Sequence, residues 1–259
     1  MIFQSSDKHI NMTVETHCKC DIGRNRKENQ DRCAAFQCSW TYATDKIGWV
    51  AAVADGMGGH YGGAVAAELA IQTVRESLSI IRTSPEEVLQ KTFLNVFDKI
   101  SGRAWRDPQL ATMGCTLSIA ITDGVRVYCA SIGDSRVYRI RDNGIFQISR
   151  DHSLVQELLG SGQIKLEDVE LHPSRNILTR ALTASKCDAP DIYEPFELCN
   201  NDSVLVCSDG LWNMLSDESI LSIVKDNNLK NAIDKLIDEA NAQGGEDNIA
   251  IAMLRPIRI

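Results

Sequence analysis

The sequence predicts an α+β fold with antiparallel strand pairing, and three observations carry that reading. Apolar runs at 47–54 (IGWVAAVA), 203–207 and 249–254 have the length and continuity of buried strands. Two stretches, 64–81 and the segment opened by Ser84, repeat apolar residues at three- and four-residue steps, the period of an amphipathic helix. Between 116 and 149, short β-rich segments alternate with Asp, Gly and Asn turns, the pattern of antiparallel hairpins.

In chain order, the run 47–54 ends at Asp55-Gly56. Over 64–81, Ala67, Ala70, Ile71, Val74, Leu78 and Ile81 fall on one helical face. Ser84-Pro85-Glu86-Glu87 then reads as a helix start, with Ser84 as N-cap, Pro85 in the first helical position and Glu87 able to close a capping box. The stripe of Val88, Leu89, Thr92, Phe93, Val96, Phe97 and Ile100 packs back on the first helix or on a sheet, because the linker is too short to carry it elsewhere. The segments 116–122, 125–132, 136–141 and 144–149 read as a meander broken at Asp123-Gly124, Gly133-Asp134-Ser135 and Asp142-Asn143-Gly144. From about 150 to 200 the pattern weakens, with short helical pieces at 154–159 and 166–169, and the segment reads as an inserted, mobile one. Two short amphipathic helices occupy 217–242, stopped by Gly244-Gly245. With no repeat and no linker, 1–259 is expected to be a single domain, its first 12 residues flexible.

Composition limits the function classes. The 259 residues are 44% hydrophobic, enough for a full core. Lys and Arg total 27 against 35 Asp and Glu, a formal charge of −8, which argues against nucleic acid or an anionic membrane surface as partner. The start, MIFQSSDKHINMTVET, lacks the basic and apolar regions of a secretory signal, and no apolar stretch approaches the ~18 residues of a membrane span. A cytoplasmic protein is expected. Of nine cysteines, Cys18 and Cys20 are too close for zinc-knuckle spacing, and Cys115, Cys129 and Cys207 sit in apolar runs as reduced core thiols.

The Asp-Gly pairs divide into two kinds. Asp123-Gly124 is flanked by alternating strand and reads as a hairpin turn without chemistry. Asp55 and Asp209 each follow an apolar run with no returning strand, and Asp247 precedes one. If the last strand is antiparallel to the other two, all three carboxylates fall at one edge of the sheet. Each taken singly reads as a turn aspartate. Crowded together they would repel one another unless a cation neutralised them, and oxygen donors suit magnesium or manganese. The histidines His9, His17, His60, His152 and His172 show no zinc spacing. Gly56 would let the backbone approach an ion and offer its carbonyl.

In order along the chain, the stretches 26–31 (RKENQD), 55–60 (DGMGGH), 133–136 (GDSR), 208–212 (SDGLW) and 246–248 (EDN) resemble the motifs of the metal-dependent serine/threonine protein phosphatases, the PPM or type 2C family. The likeness spans roughly 13–255, and Met57 after Asp55-Gly56 resembles the compact bacterial branch. It implies a four-layer α-β-β-α sandwich, two antiparallel sheets flanked by antiparallel helix pairs. It further implies that Asp55, the Gly56 carbonyl, Asp209 and Asp247 hold two Mn2+ or Mg2+ ions at the junction of the sheets, with a third, weaker ion held in part by Asp134 and Asp209. Asp31 would orient water nearby, and residues 150–190 would form a flap beside the site.

The implied reaction is hydrolysis of phosphoserine and phosphothreonine in proteins by a water shared between two ions, opposing a cytosolic kinase. No GxSxG nucleophile motif is present. Arg26 is the candidate phosphate clamp, against a surface arginine among Arg24, Lys27 and Arg32. His60 reads equally as proton donor or as a structural, water-ordering residue, since animal relatives carry histidine where this chain has Met57. His152 and the stretch 175–180 read equally as substrate contacts or packing, and Thr183 stands where relatives often carry glycine. The rivals are a non-catalytic phosphoprotein-binding module on the same scaffold, which loss of the metal-ligand aspartates would favour, and a nucleotide-cradling loop at 56–63, which lacks the following Lys-Ser/Thr. A monomer is expected.

Overall fold

The computed structural model describes residues 13–43, 45–59, 61–169 and 171–257. Strands β1 (Thr13–Asp21), β2 (Asp31–Trp40) and β3 (Lys46–Met57) come first, then helix α1 (Gly62–Leu78), the short strand β4 (Ile80–Ile81) and helix α2 (Pro85–Arg106). Strands β5 (Gly114–Cys115), β6 (Leu117–Thr122), β7 (Arg126–Ile132), β8 (Arg136–Arg141) and β9 (Gly144–Gln147) follow. The irregular section carries α3 (Leu154–Gly160), α4 (Leu166–Val169), β10 (Leu182–Thr183), β11 (Asp191–Ile192) and β12 (Phe196–Glu197). The chain then forms β13 (Ser203–Cys207), the single turn α5 (Asp209–Trp212), α6 (Asp217–Lys225), α7 (Leu229–Ala242) and β14 (Ile249–Ile257).

One sheet runs β1-β14-β13-β8-β9 and is antiparallel throughout. The other runs β10-β5-β3-β6-β7-β11, with β2 on β3, β12 on β7, and β4 joined to β2 in a short parallel ladder. Strand alternation then makes three cores. Val50, Ala52 and Ala54 of β3 face Ala67, Ala70 and Val74 of α1 and Phe93 and Val96 of α2. Their neighbours Trp49, Ala51 and Val53 face the other way, onto Val204, Val206, Ala250 and Ala252 of the facing sheet. On that sheet's outer side, Leu205, Ile249, Ile251 and Met253 pack on Ile220, Ile233, Leu236 and Ile237 of α6 and α7. The apolar runs are continuous because these strands are buried on both faces, each large side chain contributing about 1.5–3 kcal/mol. The result is an α-β-β-α sandwich.

Capping matches the sequence reading at α2, where Ser84 Oγ accepts from the Glu87 amide at 3.2 Å. Gly244 and Gly245, at φ of 134° and 53°, end α7. Three expectations change. The helix expected over 64–81 ends at Leu78, and Ile80 and Ile81 leave it to pair with Ser39 and Trp40. Ile81 is fully buried, so its place in the apolar period reports burial rather than helix. The meander breaks at Gly133-Asp134-Ser135, where the chain crosses from β7 in one sheet to β8 in the other. The section 150–200 is stitched to the sandwich through β10 on β5 and β11 and β12 on β7.

Candidate active site

Asp209 follows β13 and Asp247 precedes β14; because these strands are antiparallel neighbours, the two carboxylates meet at one end of one sheet. Asp55 comes from β3 of the other sheet, directly across the ladder from Asp31. Asp134 lies in the crossover between them. The single sheet edge read from the apolar runs is therefore corrected, a difference that such runs cannot display: the acids come from two sheets and meet at their junction, as the family resemblance implies. Asp55, Gly56, Asp134, Asp209, Asp247 and Arg26 line a cleft of about 790 Å³, with Asp31 buried behind it.

Burial and mutual repulsion dominate the electrostatics. Asp55 and Asp134 are held well above the usual carboxylate range, first by burial and then by neighbouring carboxylates. Burial raises Asp31 to about 7, opposed by its hydrogen bond from Ser208. Asp209 rises to about 6 through burial and the Asp247 charge, with the Arg26 cation pulling it back. Asp209 Oδ2 accepts from Asn213 at 3.3 Å, whereas its buried Oδ1 has no hydrogen-bond partner. A buried carboxylate oxygen without a donor, beside other carboxylates, is the arrangement a hard cation satisfies. The donor set, oxygen only, fits such an ion. Among the described residues, however, no three His, Cys, Asp or Glu side chains are drawn into a ready cage. Asp247 Oδ2 instead takes the Arg26 guanidinium at 2.6 Å.

A second set of residues holds these acids in place. Ser208 donates to Asp31 Oδ2 at 2.5 Å and accepts the Ala250 amide at 2.8 Å, tying the two sheets together behind the cleft. Asn248 accepts from the Gln30 amide and donates to the carbonyls of Ile22 and Glu28, pinning the loop that carries Arg26. Thr116 Oγ1 accepts the Asp55 amide at 3.0 Å. Gly56 is required by packing: a Cβ there would meet the Gly63 carbonyl oxygen at 2.1 Å, so the start of α1 lies directly on the strand.

Residues from the irregular section close one side of the cleft, including Asn176, Leu178, Thr179, Thr183 and Lys186. His152 is a packing residue. Its Nδ1 accepts from the Gly133 amide at 3.0 Å, so the proton lies on Nε2 and is donated to Asp191 at 3.0 Å. Arg180, 2.9 Å from the same nitrogen, is held by its own bond to Asp191 at 2.8 Å. Burial lowers the His152 pKa, which keeps the ring neutral. Thr183 Oγ1 accepts from the Lys186 amide at 3.1 Å. His60 lies outside the described residues, as do residues 1–12. Ser208 and Asn248 carry no role in the sequence reading; their only signal is a polar residue at the junction of an apolar run and an acid.

Fold and cleft together define a class, the α-β-β-α sandwich enzymes with oxygen donors gathered between two sheets. A family model described as Protein phosphatase 2C matches residues 23–251, and the chain belongs to that family. The serine/threonine phosphatase stp of Listeria innocua serovar 6a is 37% identical over 243 residues, covering 91% of this chain and 93% of its own length. Protein phosphatase PhpP of Streptococcus pneumoniae serotype 2 is 34% identical over 247 residues, covering 93% and 97%. Among solved structures, the catalytic domain of serine threonine protein phosphatase PstP in complex with two manganese ions aligns with a TM-score of 0.81 and 29% identity, over 95% of this chain and all of that one.

Proposed function

We propose that this chain dephosphorylates phosphoserine and phosphothreonine in proteins with the help of two divalent cations, manganese or magnesium. Asp55, the Gly56 carbonyl, Asp209 and Asp247 would hold the two ions, and Asp134 with Asp209 a third. The observation that carries the reading is the orphaned, buried Oδ1 of Asp209 among converging carboxylates. Bound ions supply the acidification of water and the neutralisation of phosphoryl charge.

The chain's own residues do the rest. Arg26, half-exposed at the rim and tethered by Asn248 through its loop, presents a planar guanidinium able to take two phosphate oxygens. Its present partner is Asp247, which would be shared with an ion in the loaded site, leaving the Arg26 guanidinium free to face the substrate. Asp31, fixed by Ser208, aims its carboxyl at Asp55 and is positioned to orient water or hold a proton behind the cleft. The irregular section supplies the wall that limits solvent on one side. All the aspartates expected to bind metal are present, which favours an enzyme over a phosphoprotein-binding module.

The same reading makes the chain one monomeric catalytic domain, cytoplasmic and opposed to a serine/threonine kinase. Among the described residues no helix is long and apolar enough to cross a membrane. The test is hydrolysis of p-nitrophenyl phosphate and of a phosphothreonine peptide. Turnover is expected only with added manganese or magnesium, and full activity after exhaustive chelation rejects the mechanism.

A further inference from the structure

We propose that Cys18, Cys20 and Cys33 form a peroxide-sensitive thiol site in which Cys33 closes a reversible disulfide between the two sheets, first with Cys18 and by exchange with Cys20. Cys18 and Cys20 share one face of β1 by strand alternation, and Cys33 comes from β2 in the opposite sheet. All three are half-buried against the core between the sheets, reachable by a small oxidant. Cys20 Sγ stands 3.1 Å from Cys33 Sγ, and Cys18 shares a hydrogen bond with the same thiol. No separation along the sequence announces this meeting, because the partner strands lie in different sheets.

Position and protonation together divide the roles. The Cys33 hydrogen bond brings Cys18 down to about 7 against the opposing effect of burial, with the Arg75 cation helping, while Cys33 is pushed up. Because Cys33 faces both thiols of β1, it is the common resolving partner, and Cys18, the thiol brought down, is the first to act as nucleophile. The Cys18 thiolate attacks one oxygen of hydrogen peroxide, breaking the O–O bond to give a sulfenic acid and hydroxide. Cys33 then attacks that sulfur, and its proton leaves with the sulfenic oxygen as water. The two thiols are oxidised by two electrons, and the peroxide is reduced to two waters. Cys20 in turn can attack the new bond, passing the link from Cys18 to itself. A dithiol reductant reverses the step, as a sensing disulfide in a reducing compartment requires. Cys33 is two residues from Asp31, so the bond would fasten β1 to β2 beside the cleft.

The experiment uses the full chain treated with hydrogen peroxide, alkylated, and cut with trypsin. Cleavage at Lys19 separates Cys18 from Cys20, so the partner of Cys33 is read directly. The expected result is residues 33–46 linked to 9–19 or 20–24, with fragmentation placing the bond at Cys33 rather than the buried Cys38, and full loss of the link in dithiothreitol. Cys187→Ser should retain the link and Cys33→Ser should lose it. Closing this 15-residue loop should raise the melting temperature by roughly 6–12 °C. Cys33 recovered singly alkylated, irreversible over-oxidation in its place, or only intermolecular bonds through the exposed Cys187 and Cys199 would overturn the site. So would a linked protein that melts no higher than the reduced one.

Discussion

Replacing Asp209 by Asn should stabilise the metal-free fold while abolishing turnover. The wild-type carboxyl is held at about 6 in the fold against an ordinary 3.8. The folded state therefore favours the proton more than the unfolded state does. The resulting penalty is absent below about pH 3.8, grows as pH rises to about 6, and is constant above it. At about 1.36 kcal/mol per pH unit it reaches roughly 3 kcal/mol near neutral pH. Asparagine cannot ionise, and its carbonyl oxygen can still accept from Asn213. In chelator near pH 7.5, Asp209→Asn is thus expected to melt roughly 6–12 °C above wild type, a gain that shrinks towards zero near pH 4. Added manganese should raise the wild-type midpoint and leave the variant nearly unmoved. Thermal melts at the two pH values, with and without manganese, read all of this. A variant less stable than wild type in chelator at neutral pH, or one with an undiminished manganese shift, would refute the reasoning.

Arg26→Ala should lower kcat/KM for a phosphopeptide by roughly 10–100-fold, mainly through KM, because a two-point guanidinium–phosphate contact is lost. Its stability should change by less than ~1 kcal/mol, since the Asp247 pair is half-exposed. Ser208→Ala removes a buried donor to Asp31 and a buried acceptor for Ala250, so a loss of about 2–4 kcal/mol is expected in denaturant titration. Asp123→Ala should leave turnover nearly intact and cost about 1–2 kcal/mol, because that carboxylate caps a hairpin and pairs with Lys46 at 2.8 Å; equal loss of activity in Asp123→Ala and Asp209→Asn would undo the division of the Asp-Gly pairs.

The sequence displays what local chemistry dictates. Ser84-Pro85 and Gly244-Gly245 mark helix ends through backbone preferences that need no tertiary partner. Asp55, Asp209 and Asp247 stand out because a carboxylate bordering a doubly buried strand has no neutral explanation once three of them recur. The layer order came from likeness to a family, since β3 and β13 read alike as apolar runs whether they share a sheet or face each other. Gly133-Asp134-Ser135 misleads for a related reason: a hairpin turn and a crossover use the same residues. Ile81 belongs to the apolar period but leaves the helix, because β4 finds β2 within reach. Ser208 and Asn248 stay silent in the sequence because a buried polar residue acquires meaning only from partners, and theirs are distant: Asp31 and Ala250 lie 177 and 42 positions from Ser208, and Gln30 lies 218 from Asn248.

The crossover at Gly133–Ser135 and the Ser208–Asp31 bond make the cleft joint property of both halves of the sandwich. A fragment that retained one sheet intact would carry a fraction of the acids and none of the pocket. Loss of register between the halves would silence the enzyme before either half lost its own order, so the catalytic machinery doubles as a monitor of its own assembly.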